Sequence, residues 1–166
     1  VLSGETELEN NSWYHIAVVK EDDTLTLYID GNKDATNDNV TSNIGNNTHP
    51  LKFGTGNHFS STGEFFHGFL NQASAWSRAL TESEIQFAME DGTSLLADSL
   101  DGLVGHWKFN AGDDTTLYDH SGNQNHGTIH GATWVENIYG CTDLYADNHN
   151  PDANWDDGSC TYPDNG

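Results

Sequence analysis

Apolar and polar residues alternate at short intervals over the first half of the chain, and this pattern predicts β-strands separated by polar turns. The segment 13–20 is rich in aromatic and β-branched residues. The segment 24–29 alternates polar and apolar side chains, which places Leu25, Leu27 and Ile29 on one face. Strands of this kind bury one face and leave the other in water.

Turn signals divide these strands. Asp30-Gly31 follows the second run directly and is a strong hairpin signal, because both residue types tolerate a positive φ. The polar stretch 32–50 has little to bury and predicts a loop. Further strands are predicted at 51–54, 65–70 and 73–76.

One short helix is predicted after these strands. Thr81 and Glu84 have the spacing of a capping box, in which each side chain satisfies the other residue's backbone amide. Ile85 and Met89 lie four residues apart, and Gly92 is a natural stop. We expect this helix to lie across an open edge or end of the sheets.

The second half of the chain repeats the β pattern and then changes character. A connector at 93–102 precedes a predicted strand at 103–109, a polar loop at 111–127 and a short strand at 126–135. From residue 140 onward there are almost no aliphatic residues. We therefore place a module boundary near 137–140.

The composition excludes several classes of protein. The 166 residues include 5 Lys+Arg against 26 Asp+Glu, a net charge of −21, and Lys108 is the last basic residue. Phosphate is repelled by such a field, so nucleic acid and anionic membranes are excluded as partners. Aromatic residues make up 11%, enough to build a core, and no apolar run approaches the ~18 residues that would span a bilayer. The chain begins at Val1 without a signal peptide, which suggests processing or excision from a longer protein.

The two cysteines, Cys141 and Cys160, predict a structural disulfide. Their spacing is neither CxxC nor that of a zinc site, which argues against the redox and metal-binding alternatives. A structural disulfide implies an oxidising compartment. Closing a loop of this size contributes about 3 kcal/mol in the chain-entropy model.

Several segments resemble the LamG-like jelly-roll family of concanavalin A-like sandwiches. The W-Y-H-I-A-V-V run at 13–19 resembles one strand of the family, and L-Y-I-D-G at 27–31 resembles its hairpin. The segment 66–81 resembles its last strand and helix start. The resemblance implies an all-β fold, an antiparallel β-sandwich with one short helix, to which a small disulfide-closed loop module is attached.

The order of the resembling segments is reversed. The segments 103–109 and 119–128 resemble the opening of the same family, yet they follow its closing half. Three arrangements explain this order. The chain is a fragment of a tandem array, or a permuted sandwich that closes on itself, or a subunit whose 103–135 segment completes the sheet of a neighbouring subunit. The domain boundaries predicted on this basis are a sandwich over 1–138, with a closing half at 1–92 and opening strands at 103–138, and a tail module over 139–166.

The tail resembles a short G-C-T-D…D-D-G-S-C module of secreted and surface proteins, which implies an extracellular setting. Oxygen-bearing side chains recur there at every second residue, the spacing with which a loop wraps calcium. The alternative is that these residues simply favour turns. The candidate calcium ligands in the tail are Asp143, Asn148, Asn150, Asp152, Asn154 and Asp156.

The polar loop of the sandwich shows the same alternation at Asp119, Ser121, Asn123 and Asn125. The family resemblance implies a calcium site near this loop that also uses an acid of the closing strand. Asn71 stands at the position that matches this acid, which removes a charge from the implied site.

Other chemistry is sparse. The sequence lacks the paired-carboxylate pattern of glycosidases on such sandwiches, the G-x-S-x-G elbow and the P-loop, so we predict no catalysis. Nine histidines are present, but no H-x-H or H-E-x-x-H pattern indicates zinc. Trp155 has few apolar residues near it in the sequence, and it is the candidate for stacking on a sugar. Asn-x-Ser/Thr sequons lie at Asn10, Asn39 and Asn46.

Together these features predict a non-catalytic, secreted structural or adhesive subunit that is stabilised by Ca²⁺. We expect it to form a homo-oligomer or fibril, head to tail, by strand complementation. The alternative is a carbohydrate-binding module of a larger secreted enzyme or adhesin.

Overall fold

The computed structural model describes residues 2–41, 50–55, 65–90, 101–110, 115–136, 138–143, 145–153 and 155–162. The chain forms two compact units. The first comprises residues 1–109 and 117–127, and the second comprises 110–116 and 128–166. Residues 128–138 therefore group with the tail, whereas the sequence had suggested a boundary near 137–140.

A three-stranded antiparallel sheet opens the first unit. It contains β1 (Ile16–Glu21), β2 (Thr24–Ile29) and β3 (Asn32–Asn37), in that order. The hairpin predicted at Asp30-Gly31 is confirmed, since φ is 49° at Asp30 and 73° at Gly31, as a type I′ turn requires.

The existence of β3 corrects the prediction of a loop over 32–50. Its residues are polar, but the tight turn returns the chain alongside β2, where backbone pairing satisfies its amides and carbonyls. Ala35 is buried opposite Leu27, and a bulge follows where the register shifts. Residues 42–49 lie outside the described ranges.

The segments that resemble the closing and opening strands pair within one chain. In the second sheet, β4 (Ala73–Trp76) runs antiparallel to β5 (Leu103–Trp107). Ala73 lies opposite Trp107, and Ser74 lies opposite His106. This pairing agrees with the permuted arrangement that closes on itself, and the choice among the three arrangements stays a prediction.

The core of the first unit is small. Its buried apolar side chains are Ile29, Ala35, Ile85, Trp107 and Leu117. The Trp107 ring folds back along its own strand so closely that a Cβ at position 105 would lie 2.3 Å from it. The glycine at that position is therefore a packing requirement.

The predicted helix and its capping box are confirmed. Helix α1 (Glu82–Glu90) begins after Thr81, whose backbone amide donates to the Glu84 carboxylate at 2.7 Å, while the Glu84 amide donates to the Thr81 hydroxyl. Arg78 forms a two-pronged ion pair with Glu84, and the guanidinium followed by the Thr81 amide lowers the pKa of that carboxyl to about 2. Ile85 is buried at the centre of the helix.

Other predicted strands are shorter than expected. The runs 51–54 and 65–70 contribute one isolated bridge, between Thr55 and Phe65. The segment 126–135 contributes β7 (Gly127–Thr128), which pairs with β6 (Thr116–Leu117). The apolar side chains of these runs stay exposed because no neighbouring strand in the described part of the chain covers them.

The second unit is organised around its disulfide. Cys141 and Cys160 are bonded as predicted, with their Cα atoms 4.8 Å apart. Two short strands, β8 (Tyr139–Gly140) and β9 (Trp155–Asp156), run parallel beside the bridge. The bridge and this pairing order a segment that has almost no aliphatic core.

Candidate functional site

The most elaborate polar cluster of the first unit centres on the buried carboxylate of Asp119. One oxygen accepts hydrogen bonds from the amides of His106 and Ser121, each at 2.8 Å. The other accepts from the Ser121 hydroxyl at 2.8 Å and from the Asn125 amide at 2.9 Å. Four donors thus converge on one side chain.

The rest of this loop is fastened to strand β5. The Asn123 amide group donates to the carbonyls of Leu103 and Val104, and the Asn125 amide group donates to the Val104 carbonyl. The Trp107 indole in turn donates to the Asn125 carbonyl at 2.9 Å. The alternating Asp, Ser and Asn residues therefore act as a polar clamp on the opening strand.

Electrostatics follow from this geometry. Burial alone would raise the pKa of Asp119, but the hydrogen bonds from His106, Ser121 and Asn125 outweigh it and hold the pKa at about 2. The neighbouring His106 is buried, and desolvation, followed by the positive charge of Lys108, lowers its pKa. The site therefore contains a carboxylate that stays charged and an imidazole that stays neutral at pH 7.

The structure brings four of the five candidate calcium ligands of the sandwich into one loop. Asp119, Ser121, Asn123 and Asn125 lie together, with their polar groups engaged in the hydrogen bonds above. Asn71 is half-buried, and no hydrogen bond joins it to this loop within the described ranges. An ion here would compete with donors of the chain for the Asp119 oxygens, and calcium at this loop remains a prediction.

The candidate calcium ligands of the tail also form hydrogen bonds. The Asn148 side chain accepts from the Thr161 amide and donates to the Ser159 carbonyl, which ties the interior of the disulfide loop to the residues on either side of Cys160. The Asp143 carboxylate accepts from the Tyr162 hydroxyl at 2.7 Å and from the Tyr145 amide at 2.8 Å.

The remaining tail candidates are less informative. Asn150 accepts from the Asp152 amide at 3.1 Å, an Asx turn. Asn154 lies outside the described residues, as does the side chain of Asp156. Within the described ranges, no three His, Cys, Asp or Glu side chains lie close enough together to hold a metal ion. Amide and carbonyl oxygens would have to supply most of the ligands.

The first unit has an exposed aromatic pair that the sequence did not single out. Trp155, the predicted sugar-stacking residue, is half-buried in β9. Trp13 is 41% exposed and packs at a tilt against Phe69, which is 53% exposed, with ring centroids 6.3 Å apart. Sequence reasoning singled out Trp155 for its lack of apolar neighbours and did not single out this pair, whose exposure is set by tertiary packing.

The sequons lie at the surface where they are described. Asn10 and Asn39 are exposed, and the Asn39 amide donates to the Asn37 side chain in a turn. Asn46 lies outside the described residues. None of the helices in the described ranges combines the length and apolar character needed to cross a bilayer.

Comparison with known proteins identifies the fold. A profile of the concanavalin A-like lectin/glucanases superfamily (Laminin_G_3) matches residues 1–86, more than half of the chain. No curated protein matches.

Two solved structures are similar to this chain. A "putative carbohydrate binding protein" from Bacteroides ovatus has a TM-score of 0.57 at 22% identity, over 76% of this chain and 39% of that one. An S-layer domain-containing protein from Clostridium thermocellum has a TM-score of 0.45 at 26% identity, over 52% of this chain and 43% of that one. This chain thus covers less than half of each. With its antiparallel sheets and single short helix, the chain belongs to the concanavalin A-like lectin/glucanase superfamily.

Proposed function

We propose that this protein is a non-catalytic, extracellular carbohydrate-binding and adhesive domain. The observation that carries the proposal is the exposed ring pair of Trp13 and Phe69, which lies within the family-matched segment 1–86. An exposed indole face covers a pyranose ring well. The fold likeness to a protein named for carbohydrate binding supports the same class of ligand.

The net charge of the chain restricts the class of glycan that it can bind. A net charge of −21 repels uronic and sulfated sugars over the whole surface, so the proposed ligand is a neutral glycan. The sequence contains no paired-carboxylate signature that would hydrolyse it, which supports binding without cleavage. The Cys141–Cys160 disulfide supports an oxidising, extracellular setting.

Trp13→Ala should abolish most glycan binding. We expect at least about a fivefold rise in Kd for a neutral oligosaccharide chosen from a glycan array, because one stacked ring contributes of the order of 1 kcal/mol or more. Isothermal titration calorimetry measures the change. Trp155→Ala is the matched control and should leave Kd within about twofold. Equal losses in both variants, or array binding confined to anionic glycans, would contradict the proposal.

We propose calcium as a stabilising ion of the disulfide-closed tail. The support is the regular spacing of oxygen-bearing residues, which includes Asp143, Asn148, Asn150 and Asp152. Chelation should lower the melting temperature and expose residues 141–160 to proteolysis. Differential scanning calorimetry with EGTA and with added CaCl₂ tests this, and MgCl₂ is the control ion. An unchanged melting temperature in EGTA would remove the ion from the account.

Head-to-tail assembly into a homo-oligomer or fibril is the second candidate function. The favouring observation is apolar surface at a sheet edge. Within the described residues β1 pairs only with β2, and its Ile16 and Val18 are 54% and 59% exposed. Edges of this kind invite further chains. The sequence suggested the 103–135 segment as the donor. Its strand β5 (Leu103–Trp107) is paired in its own chain, so strand complementation would have to use another part of the chain. Glycans on Asn10 and Asn39 would limit which faces meet.

A further inference from the structure

The outer edge of strand β1 presents backbone groups that its own sheet does not pair. The Asp30 amide donates to the His15 carbonyl, so His15 and every second residue after it direct their amides and carbonyls at β2. The amides and carbonyls of Ile16, Val18 and Lys20 therefore point away from the sheet. Within the described residues, no further strand pairs with this edge.

Apolar side chains follow the same edge. Ile16 and Val18 are 54% and 59% exposed, and they lie opposite Ile29 and Leu27 on the face of the sheet that contains the buried Ile29 side chain. Strand β1 contains neither glycine nor proline, and its pairing with β2 runs without a register shift. A regular, apolar edge of this kind is a template for a further strand.

The opposite edge of the sheet, strand β3, is protected. All of its residues except Ala35 are polar, and a bulge interrupts its pairing with β2. The Asp34 carboxylate accepts the backbone amides of Glu5 and Thr6, which brings another segment of the chain to this strand. Charged side chains, bulges and covering segments are the features with which native sheets block their edges. Strand β1 is therefore the open edge of this sheet within the described residues.

The distribution of charge favours an antiparallel contact between two β1 strands. The chain has a net charge of −21, but residues 10–20 contain no Asp or Glu and include Lys20, whereas the turn 21–23 that follows is entirely acidic. In an antiparallel contact the acidic turn of each copy lies beside the acid-free end of the other. A parallel contact would place the two acidic turns together, and their repulsion would oppose it.

We propose that the β1 edges of two copies pair antiparallel about a two-fold axis at Val18, which joins the two three-stranded sheets into one. Ile16 of each copy then faces Lys20 of the other, Val18 faces Val18, and each facing pair exchanges both backbone hydrogen bonds. This register uses every outward-pointing backbone group of Ile16, Val18 and Lys20. It also keeps the apolar side chains of both copies on the same face, because the residues that face each other are an even number apart.

The charged end of β1 is compatible with this register. The Lys20 ammonium donates to the Asp22 carbonyl of its own turn, so its methylene stem can lie along the Ile16 side chain of the other copy. The contact is isologous and closes as a dimer. It rests on the self-assembly proposed above and names its surface, and growth beyond a dimer would need another surface.

Cysteine substitution in the full-length protein tests the register. Both native cysteines are joined in the disulfide, so Val18→Cys introduces one free thiol. The paired Cα atoms at the two-fold axis would lie about 5.5 Å apart, within the range of about 4.4–6.8 Å that a disulfide spans. We expect Val18→Cys to form a covalent dimer under mild oxidation by diamide, measured on non-reducing gels.

Ile16→Cys is the matched control, because Ile16 has a similar exposure and lies on the same face of the same strand. In the proposed register its two thiols lie about 13 Å apart along the strands, four residues at about 3.3 Å each, which is too far for a disulfide. Cross-linking of Val18→Cys should therefore be at least about tenfold faster. An equal mixture of the Ile16→Cys and Lys20→Cys proteins should cross-link readily, since these two positions face each other.

Proline at position 18 tests the backbone pairing. Val18→Pro removes an amide that points away from β2, a position at which an edge strand tolerates proline. Sedimentation velocity at about 0.5 M NaCl, which screens the repulsion between copies, measures dimerisation over a concentration series. We expect dimerisation at least about tenfold weaker than in the wild type, because each copy loses a donor at the axis. Val18→Thr keeps the amide and the β-branched shape and should stay within about threefold of the wild type.

Each outcome decides a specific statement. Fast cross-linking of Val18→Cys with weaker dimerisation of Val18→Pro supports the contact. Equal cross-linking of Val18→Cys and Ile16→Cys, or self-association that a folded Val18→Pro variant leaves unchanged, overturns the contact and leaves the proposed assembly standing. Circular dichroism reports whether Val18→Pro is folded, and the cysteine variants decide the question if it is not. A wild type that stays monomeric up to millimolar concentration overturns the assembly and the contact together.

Discussion

Asp119→Ala should be among the most destabilising substitutions in the first unit, with a loss of about 3–5 kcal/mol in the free energy of unfolding. It leaves three backbone amides, those of His106, Ser121 and Asn125, without their acceptor. A buried donor that loses its partner costs about 1–3 kcal/mol, and local rearrangement recovers part of the sum. Urea unfolding monitored by tryptophan fluorescence measures the loss.

Asp23→Ala provides the matched control, since it removes the same charge from an exposed turn. We expect it to change stability by no more than about 0.5 kcal/mol. If Asp119→Ala were as mild as this control, the polar clamp on β5 would have no energetic role.

The same carboxylate predicts an acid-sensitive stability. Its pKa is about 2 in the folded protein against an ordinary value of 3.8, so the unfolded state binds more protons and stability rises with pH between these values. The contribution, about 2 kcal/mol for a shift of this size, is complete above the unfolded pKa and is lost as the pH falls through the folded one. Asp119→Asn should flatten this part of the pH profile.

Removing the disulfide should have the second largest effect, and it should be confined to the tail. For the double substitution Cys141→Ala with Cys160→Ala we expect the free energy of unfolding of the tail to fall by about 3 kcal/mol. The reason is that a disulfide between residues 19 apart in sequence restricts the unfolded loop. The second unit has little apolar core to replace it, since Cys141 itself and Ala146 are its buried apolar residues in the described ranges. Hydrogen exchange over residues 141–160 should accelerate strongly.

The first unit is the internal reference for this experiment. Both cysteines of the chain lie in the second unit, so exchange at the β1–β2–β3 amides should stay as in the wild type. The Asn148 side chain is hydrogen-bonded to Ser159 and Thr161. If hydrogen exchange at these residues stayed as in the wild type, side-chain hydrogen bonding would order the tail without the disulfide.

Elements whose signals are local were predictable from sequence. The Asp30-Gly31 turn and the Thr81–Glu84 capping box depend on a few neighbouring residues, and both are present. Strand β3 was missed because its polar residues form a strand only when the turn places them beside β2. The segment 65–70 is apolar and therefore predicts a strand, but in the described ranges its pairing is limited to the Thr55–Phe65 bridge and the Phe66 amide bond to the Gly54 carbonyl.

The candidate site was predictable in position and less so in chemistry. Alternating Asp, Ser and Asn side chains suit a calcium loop, and they equally suit a loop that hydrogen-bonds to its own backbone, so the pattern at 119–125 could not separate the two. Exposure of Trp13 and half-burial of Trp155 depend on tertiary packing, which local sequence does not encode.

The first unit depends on one arrangement, in which β5 pairs with β4 of the same chain. Isotope-filtered nuclear Overhauser spectroscopy on an equal mixture of ¹³C-labelled and unlabelled protein tests this directly. Ser74 and His106 lie opposite each other in the register, so their cross-strand contacts should appear in the intramolecular spectrum alone. The same contacts in the intermolecular spectrum would show that the strand is borrowed from a neighbour, and would contradict the account.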